Sequence, residues 1–304
     1  MIEVRELNKK YRNTHAVNDV SFALPEGQVV GFLGPNGSGK STTMRLMLGL
    51  DFGSGETLYD GKPLSAHKEV TRVVGAHLDA KYFHPKRSAV NHLKMLATEA
   101  RVSSQRIDEV INIMGLESVA KSAPKGFSLG MGQRLGLAGA ILTEPRHLML
   151  DEPANGLDPQ SIHWLRDFLK DYAAKGNTVF VSSHLLSEME LMADHLVVIA
   201  KGKLISDEPM SSFVARSTGN DVLIRTAQDE ITTLHNALTA SGLIATSVEV
   251  NALSVKDASA EQVGQIAFQA NVPVLELVSR QVSLETAFLE LTADQQDYQT
   301  GVQS

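Results

Sequence analysis

Four short stretches carry residue types that can act together on a chain of phosphates. GPNGSGKST, residues 34–42, follows the apolar run VVGFL and opens a helical pattern. That is the setting in which a GxxxxGK[ST] sequence forms a phosphate-binding loop. Gly34, Gly37 and Gly39, with Asn36 and Ser38 between them, let backbone N–H groups approach phosphate oxygens. Lys40 brings a cation to the β and γ phosphates, and Ser41 brings a hydroxyl to Mg²⁺. HLMLDE, residues 147–152, is a strand pattern ending in two carboxylates. Asp151 is the metal-side acid, and Glu152 is placed to polarise an attacking water as general base. Paired acids after such a loop predict hydrolysis of a nucleoside triphosphate, beyond binding it. His184 follows TVFVSS at the end of another strand pattern. Ligands of open α/β sheets gather at the carboxyl ends of strands, so His184 is expected at the same edge as a catalytic group.

KGFSLGMGQRLG, residues 125–136, is the fourth stretch. Ser128 stands just before a helical pattern, where free N–H groups and the positive end of the helix can face an anion. The stretch has no lysine in the position that would ground a phosphate, and the chain already has a complete loop. Its anion site is therefore expected to serve the nucleotide held by another subunit.

These residues need a sheet to position them. VVGFLG (29–34), HLMLD (147–151), TVFVSS (178–183) and HLVVIA (195–200) read as buried, near-continuously apolar strands of a parallel sheet. Alternation of such strands with helical patterns predicts an α/β core over residues 1–210. Strand signals vanish between about 86 and 140, where NHLKMLATEA, SQRIDEVINIMG and GQRLGLAGAIL predict a helical insertion. SSFVARSTGND, 211–221, reads as a linker. Beyond it VLIRT, DEITTLHNALTAS, ATSVEV, ALSVKD, AEQVGQIAFQA and VPVLELV follow in the ferredoxin-like order, strand, helix, strand, strand, helix, strand. Residues 211–304 are thus expected to form a small accessory α+β domain, with SLETAFLELT as a last short helix before a polar tail.

Composition narrows the partners. The formal net charge of −7 recruits neither nucleic acid nor an anionic membrane surface, so no nucleic-acid partner is expected. With no cysteine, disulfides, thiolate metal sites and cysteine nucleophiles are excluded, which suits a reducing compartment. MIEVRELNKKYRN lacks the charged-then-apolar organisation of a signal, and the longest apolar runs fall far short of a bilayer span. Work across a membrane would require a partner chain. His147, His163 and His195 show no metal-ligand spacing and are expected to be structural or exposed.

In the order GPNGSGKST, FSLGMGQ, HLMLDEP, NGLDP and SSH, the chain resembles the ATP-binding subunit of an ABC transporter. Within that family, VSSHLLSEMELMADHLVVIAKGKLI and the extension ending in SLETAFLELT resemble subunits of ABC-2-type exporters. Relatives of that type drive export of antibiotics, peptides, lipids or polysaccharides, and some confer self-immunity. The resemblance implies a P-loop NTPase core, ATP and Mg²⁺ as cofactors, and a transmembrane ABC-2-type permease as partner. It also implies a homodimer of ATP-binding subunits and a cytoplasmic position on the inner face of the membrane, reached through the permease.

Carried onto this sequence, the resemblance implies that Tyr11 stacks on adenine and that Thr42 reaches the α-phosphate. Ser128 and Gly130 of FSLGM keep two positions of the family signature LSGGQ, with Leu129 and Met131 as replacements. Asp158 in NGLDP matches the loop that crosses between subunits. Asp79 stands where the family usually has a glutamine that contacts Mg²⁺ and water; it would hold the cation but cannot donate a hydrogen bond when ionised. The Asp79 loop and the region around 81–124 would form the groove that receives the permease. Two other readings stay open: an ABC ATPase that remodels a macromolecular complex without a membrane partner, and a module that binds ATP without useful turnover.

Overall fold

The computed structural model describes residues 1–79, 83–84, 86–217 and 220–281, together with Phe288. Strands β1 (Ile2–Tyr11), β2 (Thr14–Leu24) and β3 (Val29–Leu33) are followed by helix α1 (Lys40–Met47). Next come β4 (Ser54–Tyr59), β5 (Lys62–Pro63), α2 (Val70–Val73) and β6 (Val74–His77). Three helices then run without a strand: α3 (Ala89–Glu99), α4 (Ser104–Ile113) and α5 (Leu129–Ala140). The chain returns to alternation with β7 (His147–Leu150), α6 (Pro159–Ala174), β8 (Thr178–Ser183), α7 (Leu186–Met192), β9 (His195–Ala200) and β10 (Lys203–Pro209). Helix α8 (Met210–Ser217) follows, and then β11 (Asn220–Arg225), α9 (Ile231–Ala240), β12 (Ile244–Glu249), β13 (Ala252–Lys256), α10 (Ala260–Gln269) and β14 (Glu276–Gln281).

The central sheet has the order β10-β9-β3-β8-β7-β6. All neighbours in it are parallel except β10, which runs antiparallel to β9. Every residue of β3, β7 and β8 is buried, as their unbroken apolar runs require of strands covered on both faces. A second sheet, β2-β1-β4-β5, is antiparallel. Its strand β1 carries the polar and apolar alternation of MIEVREL, the mark of a half-buried antiparallel strand, but no motif in the sequence marks the sheet as a whole. The core between the sheets joins Phe22 of β2, Met44 and Met47 of α1, and Phe32, Met149 and Phe180 of the parallel sheet. Phe32 and Phe180 stack with centroids 5.0 Å apart, and Phe22 tilts against both at 5.9 and 5.7 Å. This packing fixes β3, β7 and β8 side by side, and with them the loops at their carboxyl ends.

The helical segment begins each of its last two helices with a serine cap: Ser103 accepts from the Arg106 amide and Ser128 from the Met131 amide. The compact unit that contains this core runs to Met210, and a second begins at Ser211. In the second unit the sheet order is β12-β13-β11-β14, antiparallel throughout. Leu234 and Leu238 of α9 and Val263 and Ala267 of α10 bury one face of it against Val222, Ile224, Leu253 and Val255. That is the ferredoxin-like arrangement. The stretch read as a linker is corrected here: its first residues continue helix α8 and bury Phe213 fully, which a solvated spacer does not do. Apart from Phe288, SLETAFLELT and the polar tail lie outside the described residues. Among the described residues no helix is long and apolar enough to cross a membrane.

Candidate active site

The chain turns from β3 into α1 through residues 34–39, and two glycines make the turn possible. A Cβ on Gly34 would stand 2.3 Å from the Ile199 carbonyl oxygen of β9. Gly39 has φ +106°, and a Cβ there would stand 2.2 Å from the Ala16 carbonyl oxygen. Neither neighbour can move, because both are backbone atoms of sheets. The loop is tied from outside by the Gly202 amide, which donates to the Ser38 carbonyl at 2.9 Å. The Gly37 side of the loop faces open space. Ser38 Oγ is buried and has no hydrogen-bond partner among the described residues.

Lys40 folds back over this turn. Its Nζ donates to the Gly34 carbonyl at 2.6 Å and lies 3.4 Å from Glu152 Oε1. The side chain is only 6% exposed. Burial pushes its pKa down, and the charges of Glu152 and Asp151 push the other way. A buried cation drawn between a carbonyl and a carboxylate has been stripped of water and favours an anion of higher charge.

The carboxyl ends of β7 and β8 supply the other wall. The Asp151 amide donates to the His77 carbonyl at 2.9 Å, continuing the β6–β7 pairing by one residue. Glu152 then departs from strand geometry, with φ +49°. Its amide donates to Ser182 Oγ at 2.9 Å, and the same hydroxyl donates to Asp151 Oδ1. One buried serine thus holds the two acids in their separate directions. His184 Nδ1 lies 2.7 Å from Glu152 Oε2. The turn that presents His184 is held by Ser183, whose hydroxyl donates to Glu188 at 2.6 Å and accepts from the Leu185 amide at 2.9 Å. Glu152 therefore carries Lys40 on one oxygen and His184 on the other.

These groups surround a cleft of about 410 Å³ lined by Ala16, Asn36, Gly37, Ser38, Gly39, Lys40, Ser41, Thr42, Glu152, Asn155 and His184. Tyr11 is outside that lining but beside it: its hydroxyl donates to Asp51 at 3.1 Å, and Thr42 is also within its reach. Lys9 Nζ stands 4.8 Å over the Tyr11 ring, which is 47% exposed. Ser128, Gly130 and Asp158 do not line the cleft. Ser128 caps α5, accepting from the Met131 amide at 3.2 Å, and Asp158 caps α6, accepting from the Ser161 amide at 2.9 Å. Hydrogen bonds from the Ser161 hydroxyl and then its amide hold the Asp158 carboxyl below the ordinary carboxylate range. The two caps belong to one surface, because Leu129 packs on Gly156 and Gly130 approaches Leu157. Asp79 lines a different cavity, of about 390 Å³, with His77, Phe83, His92 and Gly136 among its walls.

A family model described as ABC transporter matches residues 17–155. A second, described as a domain of unknown function, matches residues 220–285. An uncharacterized ABC transporter ATP-binding protein of Bacillus subtilis (strain 168) is 42% identical over 209 residues, covering 67% of this chain and 68% of that protein. The chain belongs to the ABC transporter ATP-binding proteins. The lantibiotic transport ATP-binding protein SrtF of Streptococcus pyogenes is 37% identical, covering 68% of this chain and 90% of its own. The bacitracin transport ATP-binding protein BcrA of Bacillus licheniformis is 37% identical, covering 71% and 72%. A solved ATP-binding subunit of an ABC transporter superposes with a TM-score of 0.64 at 27% identity, over 71% of this chain and 92% of the other. This ABC ATPase binds and hydrolyses ATP as the members of its family do.

Three site residues of the ABC ATPase escaped sequence analysis. Ser182 gave a signal: two serines close an otherwise apolar buried strand, TVFVSS. A fully buried hydroxyl needs a partner, and the partners here are the two acids of the adjacent strand end. Asn155 lines the cleft from the loop after Glu152 and carried no such mark. Gln133 closes FSLGMGQ and falls in a helix pattern that gives it no role of its own, yet it is buried and its Oε1 lies 2.7 Å from His77 Nε2.

Proposed function

We propose that this ABC ATPase hydrolyses ATP between two head-to-tail copies of itself and drives export through a separate, transmembrane ABC-2-type permease. The observation that carries the reading is the meeting of Lys40, Glu152 and His184 at one cleft, with Glu152 3.4 Å from the first and 2.7 Å from the second. Amides of Gly37, Ser38 and Gly39 would receive the β-phosphate, with Gly34 and Asn36 shaping the turn and Thr42 near the α-phosphate. Lys40 would exchange its carbonyl and carboxylate for β- and γ-phosphate oxygens, which releases Glu152. The freed carboxylate takes a proton from a water in line with the γ-phosphate. The water oxygen bonds to phosphorus as the bond to the ADP oxygen breaks, and His184 and Lys40 stabilise the charge that develops. Tyr11 would stack on adenine with its open face.

The residues present fit Mg²⁺. Ser41 stands in the cleft wall, and Asp151 keeps one carboxylate oxygen after Ser182 takes the other. A hydroxyl and a carboxylate are the hard oxygen donors this ion accepts, and they would hold it there. Bound Mg²⁺ would neutralise charge on the β- and γ-phosphate oxygens. Asp79 would also hold the cation, and its loop, with the region around 81–124, would form the groove that receives the permease.

Ser128, Gly130 and Asp158 lie outside their own cleft, which supports their service to the nucleotide of the other copy. Residues 1–210 would be the catalytic domain, with its helical part at about 86–140, and residues 211–304 an accessory domain. The bacitracin and lantibiotic transport relatives support an antibiotic or antimicrobial peptide as cargo, and the resemblance to ABC-2-type exporters adds a lipid as the third candidate. The chain would work at the cytoplasmic face, held through the permease. Glu152→Gln should abolish phosphate release yet retain ATP and shift the chain to a dimer in light scattering. A monomer at saturating ATP would overturn the composite site, and purification of the complete complex without any membrane partner would overturn the transporter reading.

A further inference from the structure

His77 ends β6, and it touches the catalytic strand and the capped helix at once. Its carbonyl accepts from the Asp151 amide at 2.9 Å, at the point where the two acids leave β7. Its ring is buried, with Nε2 2.7 Å from Oε1 of Gln133 on α5. An amide oxygen only accepts, so the His77 Nε2 that faces it carries the proton and donates. Four residues from Ser128 along the same face, α5 carries Gly132, and one turn further Gly136, where a Cβ would stand 2.1–2.6 Å from three atoms of the His77 ring. The helix therefore approaches β6 as closely as it does only because position 136 has no side chain. At its first turn α5 meets the loop that follows Glu152, through Leu129 on Gly156 and Gly130 beside Leu157.

We propose that His77 is a positioning residue that sets α5, and with it the Ser128–Gly130 surface, against the strand end that carries Asp151 and Glu152. The inference rests on the composite-site reading above. One polar bond in an otherwise apolar contact has a single geometry, whereas the apolar groups around it allow α5 to slide or rotate. Ser128 is five residues from Gln133, about 7–8 Å along the axis, so a small rotation at the bond moves the Ser128–Gly130 surface by a comparable amount. The nucleotide loop at 34–42 makes none of these contacts. Loss of the bond should therefore reduce turnover and leave nucleotide binding by one chain intact.

The test uses the full-length chain, with phosphate release, binding of a fluorescent ATP analogue and thermal melting measured on each variant. His77→Leu removes the donor and should lower kcat about ten- to a hundredfold, with analogue affinity within about twofold of wild type. His77→Gln returns an amide donor near the Nε2 position and should recover most of that loss. Gly136→Ala should lower kcat as much or prevent folding, and His77→Ala together with Gly136→Ala should do no worse than His77→Ala alone, because the ring that the new methyl meets is gone. Wild-type turnover in His77→Leu, or equal loss in His77→Leu and His77→Gln, overturns the proposal. So does a double variant that fails to fold where His77→Ala folds. Ser128→Ala separates the two levels: if it is inactive while His77→Leu is normal, only the role of His77 falls. If Ser128→Ala keeps full turnover, the composite site falls and takes the role of His77 with it.

Discussion

Ser182→Ala is the sharpest test of how the two acids are held. The Ser182 hydroxyl is fully buried, accepts from the Glu152 amide at 2.9 Å and donates to Asp151 Oδ1. Its removal strands a backbone N–H and one carboxylate oxygen at the same point. A hydrogen bond to a charged group contributes about 1.5–3 kcal/mol, and an orphaned buried amide costs about 1–3 kcal/mol. Water reaching the cleft would return part of this, which leaves about 3 kcal/mol. For a folding unit of this size that lowers Tm by about 6–12 °C. The catalytic effect should be larger than the stability effect implies. Glu152 holds φ +49°, a conformation that costs energy and persists only where surroundings enforce it. With the amide released, the carboxylate leaves its position between Lys40 and His184, and kcat should fall about a hundredfold. Affinity for ATP should stay within about threefold, because the amides of the 34–39 turn are untouched. Differential scanning calorimetry and phosphate release on the same preparation check both numbers. A Tm within about 2 °C of wild type, together with kcat within about twofold, would refute the reasoning.

Two further outcomes are expected. Ser128→Ala should leave ATP binding by the isolated chain unchanged and reduce hydrolysis, whereas Lys40→Ala should reduce both; equilibrium binding and turnover, measured side by side, separate the cases. His147 is 1% exposed, and burial holds its pKa at about 4, against an ordinary value of 6.5. Above pH 6.5 the ring is neutral in both states and pH has no effect through it. Between 6.5 and 4 the unfolded chain takes up the proton first, so stability falls as pH falls, by at most about 3 kcal/mol. His147→Phe should flatten that slope in melting curves from pH 7 to pH 4.5, and superimposable slopes would count against burial as the cause.

Much of the site was legible because its information is contiguous. A loop that must bring amides to a phosphate demands glycine at fixed spacing, and GPNGSGKST states this within nine residues. The acids of HLMLDE and the histidine of SSH fall at strand ends for the same reason: a doubly covered strand is apolar until it leaves the sheet. Ser128 was legible as a cap from the helix pattern that follows it, and α5 begins at the next residue.

What the amino-acid sequence determined alone was this set of local events: which residues turn, cap, alternate or stay apolar. The tertiary structure decided which of them face one another. Ser182 lies in a strand that reads like any buried strand, and it reaches Asp151 and the Glu152 amide only because β8 pairs with β7 in the register Leu150 to Val181. The antiparallel sheet of β1, β2, β4 and β5 depends on pairings between segments up to 57 residues apart, such as Ile2 with Tyr59. The linker reading of 211–221 gives way at its first residues, because eleven residues of mixed polarity say little until Phe213 is buried. That Asp79 shares a cavity with His77 and Phe83 was likewise set by packing. Local sterics and periodicity act over a few neighbouring residues, while facing partners are chosen by packing across the whole core.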